Sequence, residues 1–194
     1  MTTATKVREC KVKPETAGTT PPATRKELPP ALPRLTSEHV WNELESGSFA
    51  VISFVTPAGE PRSSGVMYKA LGHRLYAVVA PDSWKARHIA QNDTVALTVP
   101  VRRGGPLSLV FPIPPATICF HGKATVHGGD SPRVHEVVEQ LGALLPTERR
   151  ASSSVLEIAP EDSFVTYGIG VSLNAMRDPV RAQARVPVTL GGPR

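Results

Sequence analysis

The chain has 194 residues, of which 40% are hydrophobic and 20% charged, and it carries a formal net charge of +5 at pH 7. This length suits one domain with its own core, and no apolar run approaches the roughly 18–20 residues that a membrane-spanning helix needs. The opening stretch "MTTATKVRECKVKPETAG" has basic residues but no apolar segment, which argues against a secretory signal. The two cysteines, Cys10 and Cys119, fall in no metal-ligand spacing, so we predict a cytoplasmic protein without a disulfide framework.

The positive charge is concentrated at the two ends of the chain. Residues 1–34 carry seven Lys and Arg against three Glu, a charge of +4, and residues 174–194 carry four Arg against one Asp, a charge of +3. The segment between them has eleven cations and thirteen anions, a charge of −2. Basic ends without a basic body argue against a folded nucleic-acid-binding face, and we predict no nucleic-acid partner.

The first part of the chain changes character after residue 34. Residues 1–34 contain six prolines and few large apolar side chains, so we predict a disordered basic and proline-rich arm. The next stretch, "LTSEHVWNELESGS", has a capping hydroxyl, acids near its start, and Val40, Trp41 and Leu44 on one face. These features predict a short amphipathic helix that ends at Gly47.

Short β-rich segments separated by turns with glycine or proline fill the middle of the chain. Their close spacing predicts an antiparallel meander. Six or seven strands with two or three short helices predict a mainly β (α+β) fold, a β-barrel with helical decoration over residues 35–173. The stretch "SPRVHEVVEQLGALLP" (131–146) is predicted as a helix, and residues 174–194, without a sustained period, as an extended Arg-rich tail. The predicted strands are 49–56, 62–71, 75–80, 94–101 and 116–128, with a bend at Gly122, and one or two more within 154–169.

Hydroxyl and basic side chains occur at two places that the predicted topology brings together. The stretch "DSWKAR" begins a helix after the third strand, and a helix N-terminus offers unpaired N–H groups that suit a phosphate. The stretch "PRSSGVMYK" lies on the second strand, which a hairpin places beside the third. Cations and hydroxyls at one barrel end suit an anionic ligand, although a solvated edge with a capped surface helix has the same pattern. The residues concerned are Arg62, Ser63, Ser64 and Lys69 on the strand, and Asp82, Ser83, Lys85 and Arg87 at the helix.

From residue 49 to residue 101 the order of elements resembles a known family of cofactor-binding barrels. The stretch "FAVISFVTPAGEPRSSGVMYKALGHRLYAVVAPDSWKARHIAQNDTVALTV" has an apolar first strand, a "GEPR" turn, strands ending at Lys69 and Ala80, then "SWKAR" and "ND" before a last apolar strand. It is similar to the pyridoxamine 5′-phosphate oxidase-like superfamily, the flavin-binding split barrels, and "FHGKATV" fits that family's next strand. The resemblance implies an FMN-binding split β-barrel that forms a homodimer with its cofactor at the interface.

The resemblance also implies which residues hold the cofactor. The second strand would line the isoalloxazine ring and the phosphate, Lys69 would lie near phosphate or substrate, and the strand ending at Ala80 would offer backbone groups. Trp84 departs from the arginine that the vitamin oxidases often have there, which opens the site to a related cofactor. The implied cofactor-binding residues are Arg62, Ser63, Ser64, Gly65, Val66, Lys69, Val79, Ala80, Ser83, Trp84 and Lys85, with Ser83 and Lys85 at the phosphate seat.

The implied function is an FMN-dependent oxidoreductase that acts on an unidentified small molecule. No catalytic side chain is predicted, because the flavin itself carries the hydride or electron pair. Three alternatives remain open: a reductase that uses the 8-hydroxy-5-deazaflavin coenzyme on the same fold, a flavin- or haem-binding module without turnover, and a structural or regulatory protein whose basic tails bind anionic partners. The long connection 102–115 replaces the family's usual short turn, so we do not expect pyridoxamine phosphate as the substrate. This connection is either a lid over the ring or a packing loop across the dimer.

Other polar residues have simpler interpretations. His121 and His127 share a face of the predicted strand, but the sequence offers no third ligand nearby, so we predict no metal site. Arg177, Arg181 and Arg185 lie four apart and would line one face if this segment were helical. A solvated tail is the simpler interpretation of the three arginines.

Overall fold

The chain, as a computed structural model, is described over residues 35–80, 83–103, 115–128, 131–140 and 153–188. Eight strands in these ranges form one sheet. None of the described helices combines the length and the apolar character needed to cross a membrane. The helices are α1 (Ser37–Ser46), α2 (Trp84–Gln91), α3 (Pro132–Gln140) and α4 (Pro179–Ala182), with a 3₁₀ turn at Ala175–Arg177. The strands are β1 (Phe49–Val55), β2 (Pro61–Leu71), β3 (Arg74–Val79), β4 (Thr94–Val101), β5 (Ala116–His127), β6 (Ser154–Pro160), β7 (Ser163–Tyr167) and β8 (Gln183–Pro187).

Six of the strands close into a barrel in the order β1–β2–β3–β6–β5–β4. The barrel closes because β4 pairs with β5 on one side and with β1 on the other. The neighbouring strands are antiparallel, as short turns between consecutive strands require. Strand β5 is long enough to pair with β4 along one edge and with both β6 and β7 along the other. The mainly β barrel predicted from the sequence is confirmed.

The core lies inside the barrel and follows the alternation of side chains along each strand. On β1, Ala50, Ile52 and Phe54 are buried, whereas their neighbours face outward. Facing strands contribute Leu97 and Ile118 to the same cluster, each at most 1% exposed. Burial of such aliphatic side chains contributes about 1.5–3 kcal/mol each to the free energy of folding, so this alternation holds the strands in register.

Helix α1 closes one end of the barrel. The hydroxyl of Thr36 caps it by accepting a 3.4 Å hydrogen bond from the backbone N–H of His39. At its other end the hydroxyl of Tyr68, fully buried in the barrel, donates a 2.8 Å hydrogen bond to the carbonyl of Leu44. This carbonyl lies in the last turn, where no helical partner exists. Burial raises the pKa of Tyr68, so the hydroxyl keeps its proton and remains a donor.

Helix α3 covers a patch on the outside of the barrel. Its apolar residues Val134, Val137 and Val138 pack against Tyr76 of β3 and Val155 of β6. Both of those strand residues belong to the outward-facing set, yet both are at most 3% exposed because the helix lies over them. The barrel therefore has a second, smaller apolar cluster outside its main core.

The predicted strand limits agree with the structure to within one residue. The helix predicted over 131–146 is observed over Pro132–Gln140, and residues 141–146 lie outside the described ranges. Strand β5 is continuous through Gly122, as the predicted long strand requires, and its partner on one edge changes there from β7 to β6. Glycine is required at this position, because a Cβ would overlap the carbonyl of Ala159 on β6. The arm 1–34 and residues 104–114 of the long connection also lie outside the described ranges.

The C-terminal segment differs from its prediction as an extended tail beyond residue 173. It contains the 3₁₀ turn, α4 and β8, and β8 pairs with β7 along its whole length. Arg177, Arg181 and Arg185 fall in three different elements, so they do not share a helical face. The strand escaped the sequence analysis because, among its five residues, only Val186 is buried, which leaves almost no alternating pattern.

Candidate functional site

The candidate site lies where β2 and β3 separate at one end of the barrel. Their register contains four pairs, from Leu71 opposite Arg74 to Tyr68 opposite Ala77. Beyond Tyr68, β2 continues as far as Pro61 paired with β1 alone. The last residues of β3 pair instead with β6 on their other edge. The ladder between β2 and β3 is therefore split, and α2 begins just after the end of β3.

Helix α2 is held at the split by its cap and by its apolar face. The hydroxyl of Ser83 accepts a 3.3 Å hydrogen bond from the backbone N–H of Ala86, which satisfies one donor of the first turn. Ala86 and Ile89 are at most 3% exposed and belong to the barrel core. The first two N–H groups of the helix, at Trp84 and Lys85, have no partner within the helix because of their position.

Lys85 joins the helix to the split strand. Its ammonium donates a 3.0 Å hydrogen bond to the hydroxyl of Ser64 on β2, 21 residues earlier in the chain. Lys85 is partly buried, and within the described ranges no carboxylate lies in ion-pair distance of it. An ammonium has three donors, and a partly desolvated cation is stabilised by an anion. Lys85 and the first turn of α2 present donors to this position, whereas the hydroxyl of Ser64 donates its proton to the carbonyl of Gly65 at 3.3 Å.

Arg62 and Ser63 are engaged elsewhere in this structure. The guanidinium of Arg62 forms an ion pair of 2.5 Å with Glu60, and both side chains are more than half exposed. The hydroxyl of Ser63 is 2.8 Å from that of Ser53 on β1, on the opposite face of β2 from Ser64. The sequence analysis grouped these three residues of β2, and the structure brings only Ser64 into contact with Lys85.

The remaining strand residues divide between the two faces of the sheet. The side chains of Val66 and Val79 are 5% exposed and point into the barrel, so only their backbone groups face a ligand at the split. The ring of Phe49 covers Gly65, where an added Cβ would come within 2.9 Å of it. Lys69 is partly buried and lies opposite Tyr76 on the outer face, so its side chain is not brought to Ser64. Ala80 is exposed directly after β3.

Trp84 faces an open cleft beside the split. Its side chain is 43% exposed, and its ring lies 5.5 Å from Phe54 and 6.0 Å from His88, measured between centroids. We call the space in front of it the Trp84 cleft, which has a volume of ≈ 570 Å³. Its lining consists of Thr56, Pro57, Ala58 and Glu60 from the turn after β1, with Arg62, Trp84 and His88.

The sequence analysis missed the turn residues and His88 as parts of this site. The spacing of Trp84 and His88, four residues apart on one helix, puts them on the same face and is the signal that was available. Nδ1 of His88 is buried and has no hydrogen-bond partner among the described residues. No signal in the sequence placed the turn after β1 in front of Trp84, because that contact depends on the barrel.

The histidines considered for a metal each lie against a carboxylate. Nε2 of His121 is 3.1 Å from Asp162, and Nε2 of His127 is 2.9 Å from Glu157. Glu157 also forms an ion pair with Arg74 at 3.2 Å, so its carboxylate has both His127 and Arg74 as partners on the outer face of the sheet. Within the described part of the chain no three His, Cys, Asp or Glu side chains are grouped closely enough to hold a metal ion.

Comparison with known proteins places these observations in a family. Residues 36–167, more than half of the chain, match the model of the family described as pyridoxamine 5′-phosphate oxidase. No protein of curated function matches the sequence. Among solved structures, the fold is similar to HutZ, a haem storage protein from Vibrio cholerae, with a TM-score of 0.55 at 14% identity over 68% of this chain and 94% of that one.

Two further structures share the fold at low identity. An FAD-binding protein from Mesorhizobium loti has a TM-score of 0.52 at 16% identity, over 66% of this chain and 91% of that one. General Stress Protein 26 from Bacillus anthracis has a TM-score of 0.51 at 19% identity, over 67% and 92% of the two chains. At these identities the likeness concerns the fold of the chain alone.

Proposed function

The chain belongs to the pyridoxamine 5′-phosphate oxidase family, and on that premise we propose that it binds FMN at the split between β2 and β3 and acts as a flavin-dependent oxidoreductase. The phosphate of the flavin binds Lys85, the hydroxyl of Ser64 and the N-terminus of α2. The substrate is a small molecule other than pyridoxamine phosphate.

The contact between Lys85 and Ser64 is the observation that carries this proposal. A lysine whose only described partner is a hydroxyl keeps two donors for an anion, and its position on the first turn of α2 adds the partial positive charge of the helix. Charge-assisted hydrogen bonds to phosphate contribute about 1.5–3 kcal/mol each. A phosphate site at this position explains why the hydroxyl of Ser83 and the ammonium of Lys85 stand at the start of α2.

The ring of the flavin would lie along the open edge of the barrel. There the β2–β3 ladder has ended, so backbone groups of Gly65, Val66, Val79 and Ala80 are the natural partners for the polar edge of a flat ring. When bound, the flavin supplies the hydride or electron-pair transfer. The chain orients it and keeps water away from it, and no side chain is needed as a general base.

A second copy of the chain completes the proposed site. Phe49 and Val55 on β1 and Val165 on β7 face outward and are 45%, 42% and 38% exposed. Large apolar side chains exposed along one sheet face mark an interaction surface. We propose that this face, next to the split, forms the interface of a homodimer and that the cofactor lies at that interface.

A deazaflavin coenzyme is the second candidate, and Trp84 favours it. An aromatic ring stands where the vitamin oxidases often carry an arginine, so the seat offers less positive charge to a terminal phosphate. The exposed ring of Trp84 in turn offers apolar surface to a larger ligand. The same split barrel would then serve a deazaflavin-dependent reductase.

The absorbance spectrum of the purified protein, followed by calorimetric titration with FMN, the deazaflavin coenzyme and haemin in turn, tests the proposal. Saturable binding of FMN at one equivalent per subunit supports it, and preference for the deazaflavin coenzyme selects the second candidate. A Soret band with no flavin binding makes the protein a haem-binding module instead. Binding of none of the three rejects the phosphate seat and leaves α2 as a capped surface helix.

A further inference from the structure

The Trp84 cleft is large enough for a ligand group of its own. Its volume of ≈ 570 Å³ lies within the range of roughly 300–1,000 Å³ that is usual for small-molecule sites. It is open to solvent along the turn after β1, where Pro57, Ala58 and Glu60 are exposed. One wall is the ring of Trp84, and the opposite rim carries the ion pair of Glu60 and Arg62.

The cleft adjoins the phosphate seat at two points. Arg62 precedes Ser64 by two residues on β2, so both face the same side about 7 Å apart along the strand. Trp84 directly precedes Lys85 on α2. A chemical group bonded to a phosphate held by Ser64 and Lys85 is therefore within reach of the cleft.

The ring of Trp84 offers a surface for stacking and does not fill the end of the barrel core. Phe54, which lies beneath it, is 4% exposed and already closes the core at that point. The ring of Trp84 packs on Phe54 and on the edge of His88, and it still leaves 43% of its side chain open to the cleft. A rigid, exposed indole supported from behind is a surface on which flat aromatic bases stack.

The polar groups of the cleft match a nucleotide. Arg62 is an exposed cation two residues from Ser64; Glu60 engages one of its guanidinium nitrogens, and its remaining donors are able to bind a second phosphate. The carboxylate of Glu60 accepts hydrogen bonds and suits the hydroxyls of a ribose or the amino group of a base. The cleft thus offers a cation, a hydrogen-bond acceptor and a stacking ring.

We propose that the Trp84 cleft binds the adenosine monophosphate half of flavin adenine dinucleotide, with its flavin half at the split between β2 and β3. The adenine stacks on Trp84, and Arg62 contacts the phosphate of the adenosine half. This inference rests on the proposed flavin site and names the form of the cofactor that the site takes.

Calorimetric titration of the full-length protein with FMN and with FAD tests the inference. We expect FAD to bind about tenfold or more tightly than FMN, because base stacking and a second phosphate contact add to the same seat. Equal affinities, or tighter binding of FMN, overturn the cleft assignment and leave the flavin site standing. If neither flavin binds, the proposed function fails and the inference fails with it.

Three variants test whether the preference for FAD over FMN arises in the Trp84 cleft. In Trp84→Ala the ratio of the two dissociation constants is expected to fall to about one, whereas Trp84→Phe, which keeps a stacking ring, retains most of it. Arg62→Met is expected to reduce the ratio about threefold or more, and it reports on the cleft even if Trp84→Ala does not fold. A full FAD preference in both Trp84→Ala and Arg62→Met overturns the inference, and if Trp84→Ala does not fold, a full FAD preference in Arg62→Met overturns it.

Discussion

The ammonium of Lys85 and the hydroxyl of Ser64 lie 3.0 Å apart and connect the first turn of α2 to the open edge of β2. The two residues stand 21 positions apart in the chain, and β3 lies between them. The pairing of β2 with β3 ends at Tyr68 and Ala77, so at Ser64, which pairs with Ile52 of β1 on one edge, the other edge of β2 has no β3 partner and is open towards α2. The proposed cofactor site depends on the contact between Lys85 and Ser64.

Removal of the Lys85 charge should weaken cofactor binding. Lys85→Met keeps the length and the apolar stem of the side chain and removes the ammonium, so we expect the dissociation constant for FMN to rise about 10- to 100-fold. Lys85→Arg should recover most of the affinity. Arg87→Met is the matched control, because it removes an exposed cation two residues further along the same helix. An equal loss in the control would mean that the general charge of α2 matters and that no specific contact is made.

Gly47 and Tyr68 should be energetically coupled. A Cβ at Gly47 would overlap the Tyr68 hydroxyl, whereas the next atom of that ring, Cζ, is 3.4 Å away. We therefore expect Gly47→Ala to cost about 1–3 kcal/mol in wild type and clearly less in a Tyr68→Phe background. Tyr68→Phe alone should cost about 1–2 kcal/mol, because the carbonyl of Leu44 loses its partner. Urea unfolding of the two single variants and the double variant measures the coupling, and strictly additive costs would contradict it.

The stability of the protein should depend on pH through the surface ion pair between Asp93 and Lys123. The Nζ of Lys123 donates a 2.6 Å hydrogen bond to Asp93, which lowers the pKa of Asp93 and raises the pKa of Lys123. The ionised Asp93 contributes to the free energy of unfolding above its ordinary pKa, and this contribution is lost as the pH falls through the lowered pKa. The contribution of Lys123 is present below its ordinary pKa and is lost as the pH rises through the raised value.

Lys123→Met should therefore lower the melting temperature between about pH 5 and pH 10, with a difference that shrinks at both extremes. Thermal melts of wild type and variant across this range measure the effect, and added salt should reduce it. Arg87→Met, an exposed cation in no ion pair among the described residues, should show no such window. A difference that stays constant with pH would assign the effect to packing of the lysine stem.

An added charge on the outer sheet face should disrupt the proposed homodimer. Val165 is 38% exposed on β7, and Val165→Asp places a carboxylate on the proposed interface. We expect the variant to dissociate into monomers at concentrations where wild type is dimeric, as measured by light scattering after gel filtration. Val180→Asp is the control, since Val180 is 85% exposed on α4, outside the sheet. A wild type that is monomeric at all concentrations would rule out this interface.

Deletion of residues 1–30 should leave the folded barrel and its cofactor affinity intact. The expectation comes from composition alone, because a segment with five prolines and few apolar side chains does not build a core. Thermal melting and FMN titration of the truncated chain measure it. A fall in melting temperature of more than about two degrees would show that the arm contributes to the stability of the barrel.

The sequence by itself determined the elements that depend on neighbours along the chain. Alternating apolar residues between glycine and proline turns placed β1 to β5 to within one residue, and Ser83 marked the start of α2. Both signals are local, since a strand buries every second side chain and a helix cap needs a hydroxyl at its start. The resemblance to a flavin-binding family rested on the same ordered pattern.

Only the tertiary structure decided which of these residues meet. Ser63 and Ser64 are chemically identical neighbours, and the strand register alone turns one towards Ser53 and the other towards Lys85. The pairing of β8 with β7 and the turn after β1 in front of Trp84 likewise join residues that are distant along the chain. Such contacts depend on barrel closure and on where a ladder ends, and neither leaves a periodic trace in the sequence.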